Sequence, residues 1–272
     1  MARGLPLRLT ADEARYVTRG ASAVGLAVLS VGAFWLSPWS PEAVDRPALL
    51  WGWGFPNLAY EGWVQLAHGY AAPDTRAEAL WRAANLAAID LQLPGAAVEH
   101  LRELIRTYPE HPRVPEARER LAALYAGALR EPRLAASTWE AAAAEDPRAP
   151  AAGEWWLEAG ISYARAGEPE DSERALRAAT AYPQVAVDAW LALGSALLAD
   201  EPDQAEDAFK QAIRAGAAGG EASLARLGVA TALERDGRPE DALAALTEAR
   251  ADGDQDEAIE QRIRLLKERM GL

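Results

Sequence analysis

The sequence predicts an all-α protein in which a stack of helical hairpins follows one apolar N-terminal helix. Alanine dominates the apolar residues and long valine or isoleucine runs are absent, which favours helices over strands. Residues 20–41 carry no charge, as is typical of a helix that crosses a bilayer. Prolines recur in short turns at intervals of 33 to 38 residues. They are Pro94, Pro132, Pro169, Pro202 and Pro239.

The N-terminal part is predicted to be a cytoplasmic segment, residues 1–19, followed by a transmembrane helix, residues 20–40. Four arginines precede the apolar stretch and acidic residues follow it, so the positive-inside rule places the N-terminus in the cytoplasm. Trp35 and Trp39 stand at the far end, where amphipathic rings favour the headgroup zone. Small residues let membrane helices approach closely, and Ala21, Gly25 and Gly32 are the candidate packing positions against another membrane helix.

Two other interpretations of this segment stay open. A cleaved signal peptide has a shorter apolar region, roughly 7–15 residues, and ends in a small-x-small site. After Leu36 the chain continues Ser-Pro-Trp-Ser-Pro, which places Trp or Pro where small residues belong and favours an uncleaved anchor. A buried helix of a soluble protein is the second alternative.

Residues 41–73 form an aromatic-rich juxtamembrane segment with a capping helix. Pro47, Gly52, Gly54 and Pro56 predict turns in its first half, and the stretch from residue 57 to 70 is predicted to be helical. The aromatic side chains can lie on the outer leaflet, dock on a partner or cap the first repeat, and Trp51 and Trp53 are the candidate interfacial residues. The aromatic residues are Trp51, Trp53, Phe55, Tyr60, Trp63 and Tyr70.

Residues 74–252 are predicted to form an array of about five repeats. Each recurring proline suits the first position of a helix, where its missing N–H costs nothing, and acidic residues often follow it, matching the positive helix end. The clearest copy has Trp190, Leu193 and Gly194 in the order Trp-x2-Leu-Gly, and then Ala205-x3-Phe209. Neighbouring copies contain Trp156-x2-Ala159-Gly160-x2-Tyr163 and Leu224-x2-Leu227-Gly228.

These residues resemble the tetratricopeptide repeat, whose pattern is Trp-x2-Leu-Gly-x2-Tyr, then Ala-x3-Phe, then Pro. The small residue at the eighth position lets the second helix of a hairpin lie close to the first. One hairpin cannot bury its own apolar face, so neighbours must stack. Residues 253–272 are predicted to be a capping helix, because Ile259, Ile263 and Leu266 fall on one helical face.

The composition excludes several function classes. The formal charge is −13, with +2 on residues 1–37 and −15 on the remainder, and such an acidic surface repels nucleic acids. Without cysteine there are no disulfides, thiolate nucleophiles or zinc-thiolate sites. The three histidines lack metal-ligand spacing, and no nucleophile-elbow or phosphate-cradling sequence occurs. We therefore expect no enzymatic activity, no cofactor, no metal and no small-molecule substrate.

The resemblance implies that the first helix of each hairpin lines a concave surface that binds other proteins. We expect the groove to take an apolar or helical segment. The inward positions implied are Leu157, Ile161, Leu191, Ser195, Leu198, Ala225 and Val229.

The layout resembles that of single-span periplasmic tetratricopeptide proteins of bacteria. It implies a scaffold of the inner membrane with periplasmic repeats, whose partners include a membrane subunit and which assists assembly of an envelope or secretion complex. A permanent accessory subunit of a large energy-converting or secretion complex is the alternative, and a soluble exported adaptor is a third possibility.

Overall fold

The computed structural model describes residues 45–251 and 257–272, and this part of the chain contains thirteen α-helices and no strand. The predicted transmembrane helix, with Ala21, Gly25, Gly32, Trp35 and Trp39, lies outside the described residues. The helices are α1 Arg46–Gly52, α2 Pro56–His68, α3 Pro73–Ile89, α4 Pro94–Thr107, α5 Val114–Ala126, α6 Pro132–Glu145, α7 Ala152–Ala166, α8 Pro169–Ala179, α9 Ala186–Leu197, α10 Pro202–Arg214, α11 Gly220–Arg235, α12 Pro239–Ala251 and α13 Glu257–Met270.

Helix starts follow the predicted proline positions. All five recurring prolines occupy the first position of a helix, in α4, α6, α8, α10 and α12. Proline fits there because its fixed φ is already helical and no N–H is needed. The α7–α8 turn closes on Gly167, whose φ of 77° is left-handed, a conformation that glycine adopts without steric cost.

The chain divides into two compact units at Leu93 and Pro94. In the first unit, α2 packs against both α1 and α3. Trp63 is 5 % exposed and packs with the buried Ala59 and Ala67 of the same helix in the core. The Arg82 guanidinium lies 5.1 Å from the centre of the Trp63 ring, within the range of a cation–π contact.

The second unit is a run of helices in which neighbours along the chain pack against each other. Four pairs form hairpins in sequence order: α5–α6, α7–α8, α9–α10 and α11–α12. Each hairpin also packs on the next one, through contacts of α6 with α7, α8 with α9, and α10 with α11. This stacking buries the apolar flank that a single hairpin leaves open, as the repeat pattern requires.

Glycines at the eighth pattern position bring helices together as predicted. A β-carbon added at Gly160 would lie 2.5 Å from Leu176, and one added at Gly194 would lie 2.9 Å from the Phe209 ring. Gly228 of the following hairpin faces the same ring, at 2.6 Å. Phe209 therefore fills the space between two hairpins that only glycine leaves open.

The C-terminal helix α13 packs on α12 and α11. Ile259, Ile263 and Leu266 are each at most 2 % exposed and join the core cluster that contains Leu233 and Leu246. Burial of three such side chains contributes about 1.5–3 kcal/mol each. The helix covers the apolar flank of the last hairpin, as its sequence pattern predicts.

None of the helices in residues 45–251 and 257–272 is both long enough and apolar enough to cross a membrane.

Candidate protein-binding groove

The first helices of the hairpins line the inner side of the stack in the second unit. Helix α7 contacts α9, α9 contacts α11, and α11 contacts α13. The resemblance to tetratricopeptide proteins predicts that the solvent-facing residues of these helices line a groove, and that groove stays a prediction.

The predicted inward residues fall into two groups. Leu191 and Val229 are only 8 % and 6 % exposed and belong to the core cluster, where Ala225 is fully buried. Leu157, Ile161 and Leu198 are half-buried and Ser195 is exposed. The first group lies where adjacent first helices touch, so those side chains support the groove from beneath and present little surface to a ligand.

Ser195 is an exposed polar residue in the last turn of helix α9. Its Oγ donates a hydrogen bond to the Leu191 carbonyl, 2.9 Å away, so the hydroxyl is already satisfied. Leu198, one turn further on, is half-buried against the core. Among the predicted groove residues, the accessible ones are thus three half-buried apolar side chains and one serine.

Carboxylates border these apolar side chains. Glu154 and Glu158 lie on α7, at helical spacing from Ile161, and Asp188 lies on α9, one turn before Leu191. All three are exposed, and in the described part of the chain none has an ion-pair or hydrogen-bond partner. Sequence analysis did not select them, although their position on the same helical face as the predicted groove residues was a usable signal.

Some carboxylates on other helices are paired with arginine. Glu140 of α6 accepts from Arg174 of α8 at 2.8 Å, and Glu206 of α10 pairs with Arg238, just before α12, at 3.2 Å. Glu234 of α11 pairs with Arg262 of α13 at 2.6 Å. Each of these bonds joins one hairpin to the next element of the stack.

A buried tyrosine belongs to this bonding system. The Tyr163 hydroxyl donates to a Glu140 carboxylate oxygen at 2.5 Å. Burial, together with the hydrogen bond to the Glu140 carboxylate, raises the pKa of Tyr163 to about 12. The Arg174 guanidinium pairs with the same carboxylate and lies 6.0 Å from the Tyr163 ring centre. The arrangement ties α7 to α6 and α8 and serves packing between hairpins.

A concavity of about 420 Å³ lies where α5, the α6–α7 loop and the start of α7 meet. Its polar groups are already bonded: Arg118 pairs with Glu145 at 2.5 Å, and the Trp155 indole N–H donates to Glu119 at 2.9 Å. Asp146 accepts from the Arg148 backbone N–H at 3.2 Å. The concavity offers no unsatisfied polar group that would orient a small molecule.

Within residues 45–251 and 257–272, no group of three or more His, Cys, Asp or Glu side chains is arranged to hold a metal ion. The absence of enzymatic activity stays a prediction.

Comparison with protein families identifies the repeats. A model described as the tetratricopeptide repeat matches residues 120–184, 157–201 and 199–257. Together these matches span residues 120–257, about half of the chain. The chain belongs to the tetratricopeptide repeat family. Proteins of this family are typically scaffolds that bind other proteins, and the hairpins α5–α6 through α11–α12 carry its pattern here.

Solved structures show the same kind of fold. The C-terminal part of a TPR repeat-containing protein from Cytophaga hutchinsonii superimposes with a TM-score of 0.59 at 15 % identity, over 91 % of this chain and 98 % of that one. PilW, a widely conserved type IV pilus biogenesis factor, gives 0.47 at 17 % identity, over 84 % and 99 %. MamA from Desulfovibrio magneticus RS-1 gives 0.46 at 19 %, over 65 % and 96 %. The first supports the fold, and the two lower scores support nothing further.

Among curated proteins, none matches this sequence.

Proposed function

We propose that this tetratricopeptide repeat protein is a scaffold of the bacterial inner membrane. Residues 20–40 anchor it as a single span with the N-terminus in the cytoplasm, and the repeats stand in the periplasm. The array holds a segment of another protein during assembly of an envelope or secretion complex. The observation that carries the proposal is the groove on α7 and α9, where half-buried apolar side chains lie beside unpaired carboxylates.

The groove chemistry defines the partner. Leu157 and Ile161 on α7 and Leu198 at the end of α9 offer half-buried apolar side chains, which suit the apolar stripe of an amphipathic helix. Glu154 and Asp188 flank these side chains with negative charge, so basic residues beside that stripe find complementary partners. A partner segment with an apolar face and lysine or arginine on its borders is therefore the best match.

Photo-crosslinking from the groove tests this proposal directly. A photoreactive amino acid is placed at Ser195, and the full chain is expressed in native membranes. Ser137 on α6 is the matched control, because it is also an exposed helical serine that donates to a backbone carbonyl. We expect an adduct with another envelope protein from position 195 and none from position 137. Equal adducts from both positions, or none from either, would refute the groove assignment.

Reversal of the charge at the groove edge distinguishes a scaffold from a permanent accessory subunit. Glu154→Lys with Asp188→Lys should reduce the position-195 adduct strongly, because both residues are exposed and unpaired. Both lie in the first turn of a helix, where lysine is less favourable, so circular dichroism checks that the helices still form. If the adduct survives this charge reversal and also survives high salt in mild detergent, the partner is held by other contacts. That result favours the permanent accessory subunit over the scaffold.

The membrane topology has its own test, which uses the absence of cysteine. Single cysteines at Ser137 and at Thr10 are exposed to a membrane-impermeant maleimide in cells with a permeabilised outer membrane. We expect labelling at 137 and protection at 10. Labelling at both positions would show that the N-terminus is not in the cytoplasm, and protection at both would place the repeats inside the cell.

A further inference from the structure

An exposed apolar surface lies at the corner between α1 and α2. We call it the aromatic corner and define it by five large side chains with exposed fractions between 43 % and 64 %. A patch of this kind on a folded surface marks contact with another body. Its residues are Leu49, Trp51, Trp53, Phe55 and Leu58.

The aromatic corner is held in place by the fold. The backbone N–H of Trp53 donates to the Leu49 carbonyl at 3.0 Å, and the backbone N–H of Phe55 donates to the Leu50 carbonyl at 2.9 Å. Gly54 turns the chain with a φ of 83°. These bonds fix the backbone, so the rings project from a folded turn.

Contact between α1 and α2 holds the corner in position as well. Pro47 is buried, and a β-carbon added at Gly62 would lie only 2.9 Å from its ring. The Trp51 indole N–H donates to Asp90, the residue that follows α3, at 3.4 Å, which restrains the ring from one side while half of it remains exposed.

Capping of the repeats does not account for this surface. Trp63, on the opposite side of α2, is the aromatic residue of the juxtamembrane segment that is buried in the core. Tyr60, one turn earlier, is half-buried, and burial raises its pKa. Packing within the first unit therefore uses these two rings and leaves the corner aromatics facing outward.

The composition of the corner points to lipid. Residues 47–60 contain no charged side chain, in a chain whose residues are 25 % charged. Tryptophan and phenylalanine favour the zone between acyl chains and water, where the ring is buried and the indole N–H stays hydrated. An uncharged surface also avoids the repulsion that the acidic remainder of the chain meets at an anionic membrane.

The position in the chain points the same way. Only residues 42–45 separate the uncharged stretch 20–41 from α1, and four extended residues span at most about 14 Å. Helix α1 adds about 10 Å. If the anchor is embedded, the corner is tethered within reach of the headgroup layer, where its effective concentration is high.

We propose that the aromatic corner inserts into the headgroup layer of the membrane and holds the first unit against the bilayer surface. This inference rests on the proposed anchor at residues 20–40. It gives the juxtamembrane segment the task of keeping the first unit at the membrane surface, which a flexible tether would leave free.

Site-directed spin labelling of the full, naturally cysteine-free chain tests the inference. Single variants Phe55→Cys, Leu58→Cys, Leu224→Cys and Ala27→Cys are labelled and reconstituted into phosphatidylcholine vesicles. Leu224 is the matched control, because it is 56 % exposed, close to the 52 % of Phe55, but belongs to helix α11 of the second unit. Collision rates with dissolved oxygen and with a water-soluble nickel complex report the depth of each label.

We expect the label at 27 to lie in hydrocarbon and the label at 224 to be fully aqueous. The labels at 55 and 58 should collide with nickel several-fold less often than the label at 224. Labels at 55 and 58 that match 224 while 27 lies deep overturn the inference and leave the anchor standing. Labels at 55 and 58 that become shielded only in native membranes also overturn the inference and leave the anchor standing, because the corner then docks on protein. An aqueous label at 27 refutes the anchor itself.

Discussion

The Phe209 ring lies between Gly194 and Gly228. This arrangement predicts that Gly228→Ala destabilises the protein when the ring is present and stabilises it when the ring is absent. The ring is 3 % exposed. A β-carbon at Gly228 would lie 2.6 Å from ring atoms Cδ1 and Cε1, well short of the 3.4 Å at which ordinary contact begins. Overpacking at so short a distance falls in the upper part of the usual range, about 2–3 kcal/mol, whereas alanine gains about 1 kcal/mol over glycine inside a helix. Gly228→Ala should therefore lower the free energy of unfolding by about 1–2 kcal/mol.

Removal of the ring should reverse this result. Phe209→Ala by itself costs about 3–5 kcal/mol, since it empties a site that both glycines face. In that background the new methyl group of Gly228→Ala has room, so the helix preference of about 1 kcal/mol becomes a gain. The two substitutions should thus show a coupling energy of about 2–3 kcal/mol. Phe209→Leu serves as a milder background if Phe209→Ala does not fold.

The measurement is urea unfolding of the full chain in detergent, followed by circular dichroism. Gly220→Ala is the control on the same helix, because no atom lies within 4 Å of the added β-carbon, and it should be neutral or stabilising. The reasoning is wrong if Gly228→Ala is neutral in the parent protein, or if its effect has the same sign with and without the ring.

Three further predictions concern other contacts between helices. Ser172→Ala should cost about 1 kcal/mol, because the buried hydroxyl donates to a carbonyl of α7 at 2.8 Å; urea unfolding measures this. The Tyr163 pKa is raised from near 10 to about 12 in the folded chain, so its contribution to stability is complete below pH 10 and is lost as the pH rises through 12. Unfolding measured across this range should show a loss that Tyr163→Phe reduces, and an equal loss in both proteins would contradict the assignment. Ile263→Ala should lower the free energy of unfolding by about 2–5 kcal/mol and raise hydrogen exchange in α11 and α12. The control is Leu265→Ala, which should be tolerated because Leu265 is 47 % exposed. Unchanged exchange in α11 and α12 would show that α13 is no cap.

Local chemistry explains why the array could be predicted. Proline at the first helical position, glycine at the eighth pattern position and a period-3.6 apolar face in the tail each depend on residues a few positions apart. All five recurring prolines begin helices, and the capping residues Ile259, Ile263 and Leu266 are buried. The family pattern then predicted that the hairpins stack, because one hairpin leaves an apolar flank uncovered.

The sequence could not divide the predicted groove residues into buried and exposed ones. Leu191 and Ser195 are one helical turn apart and share a face, yet Leu191 is in the core and Ser195 is exposed. The difference depends on how closely α9 approaches α7 and α11, which no short-range pattern encodes. The free carboxylates Glu154 and Asp188 were missed for a related reason: acidic residues occur throughout the chain, and only the fold shows which of them have arginine partners.

By itself the sequence determined the helical class, the repeat family, the positions of the turns and the cap at the C-terminal end. The tertiary structure decided which aromatic residues of the juxtamembrane segment are packed, burying Trp63 and leaving Trp51, Trp53 and Phe55 exposed. It also decided which carboxylates are paired. Turns and helix faces are set by neighbours in the chain, whereas exposure and charge pairing are set by residues some 30 positions away that stacking brings into contact.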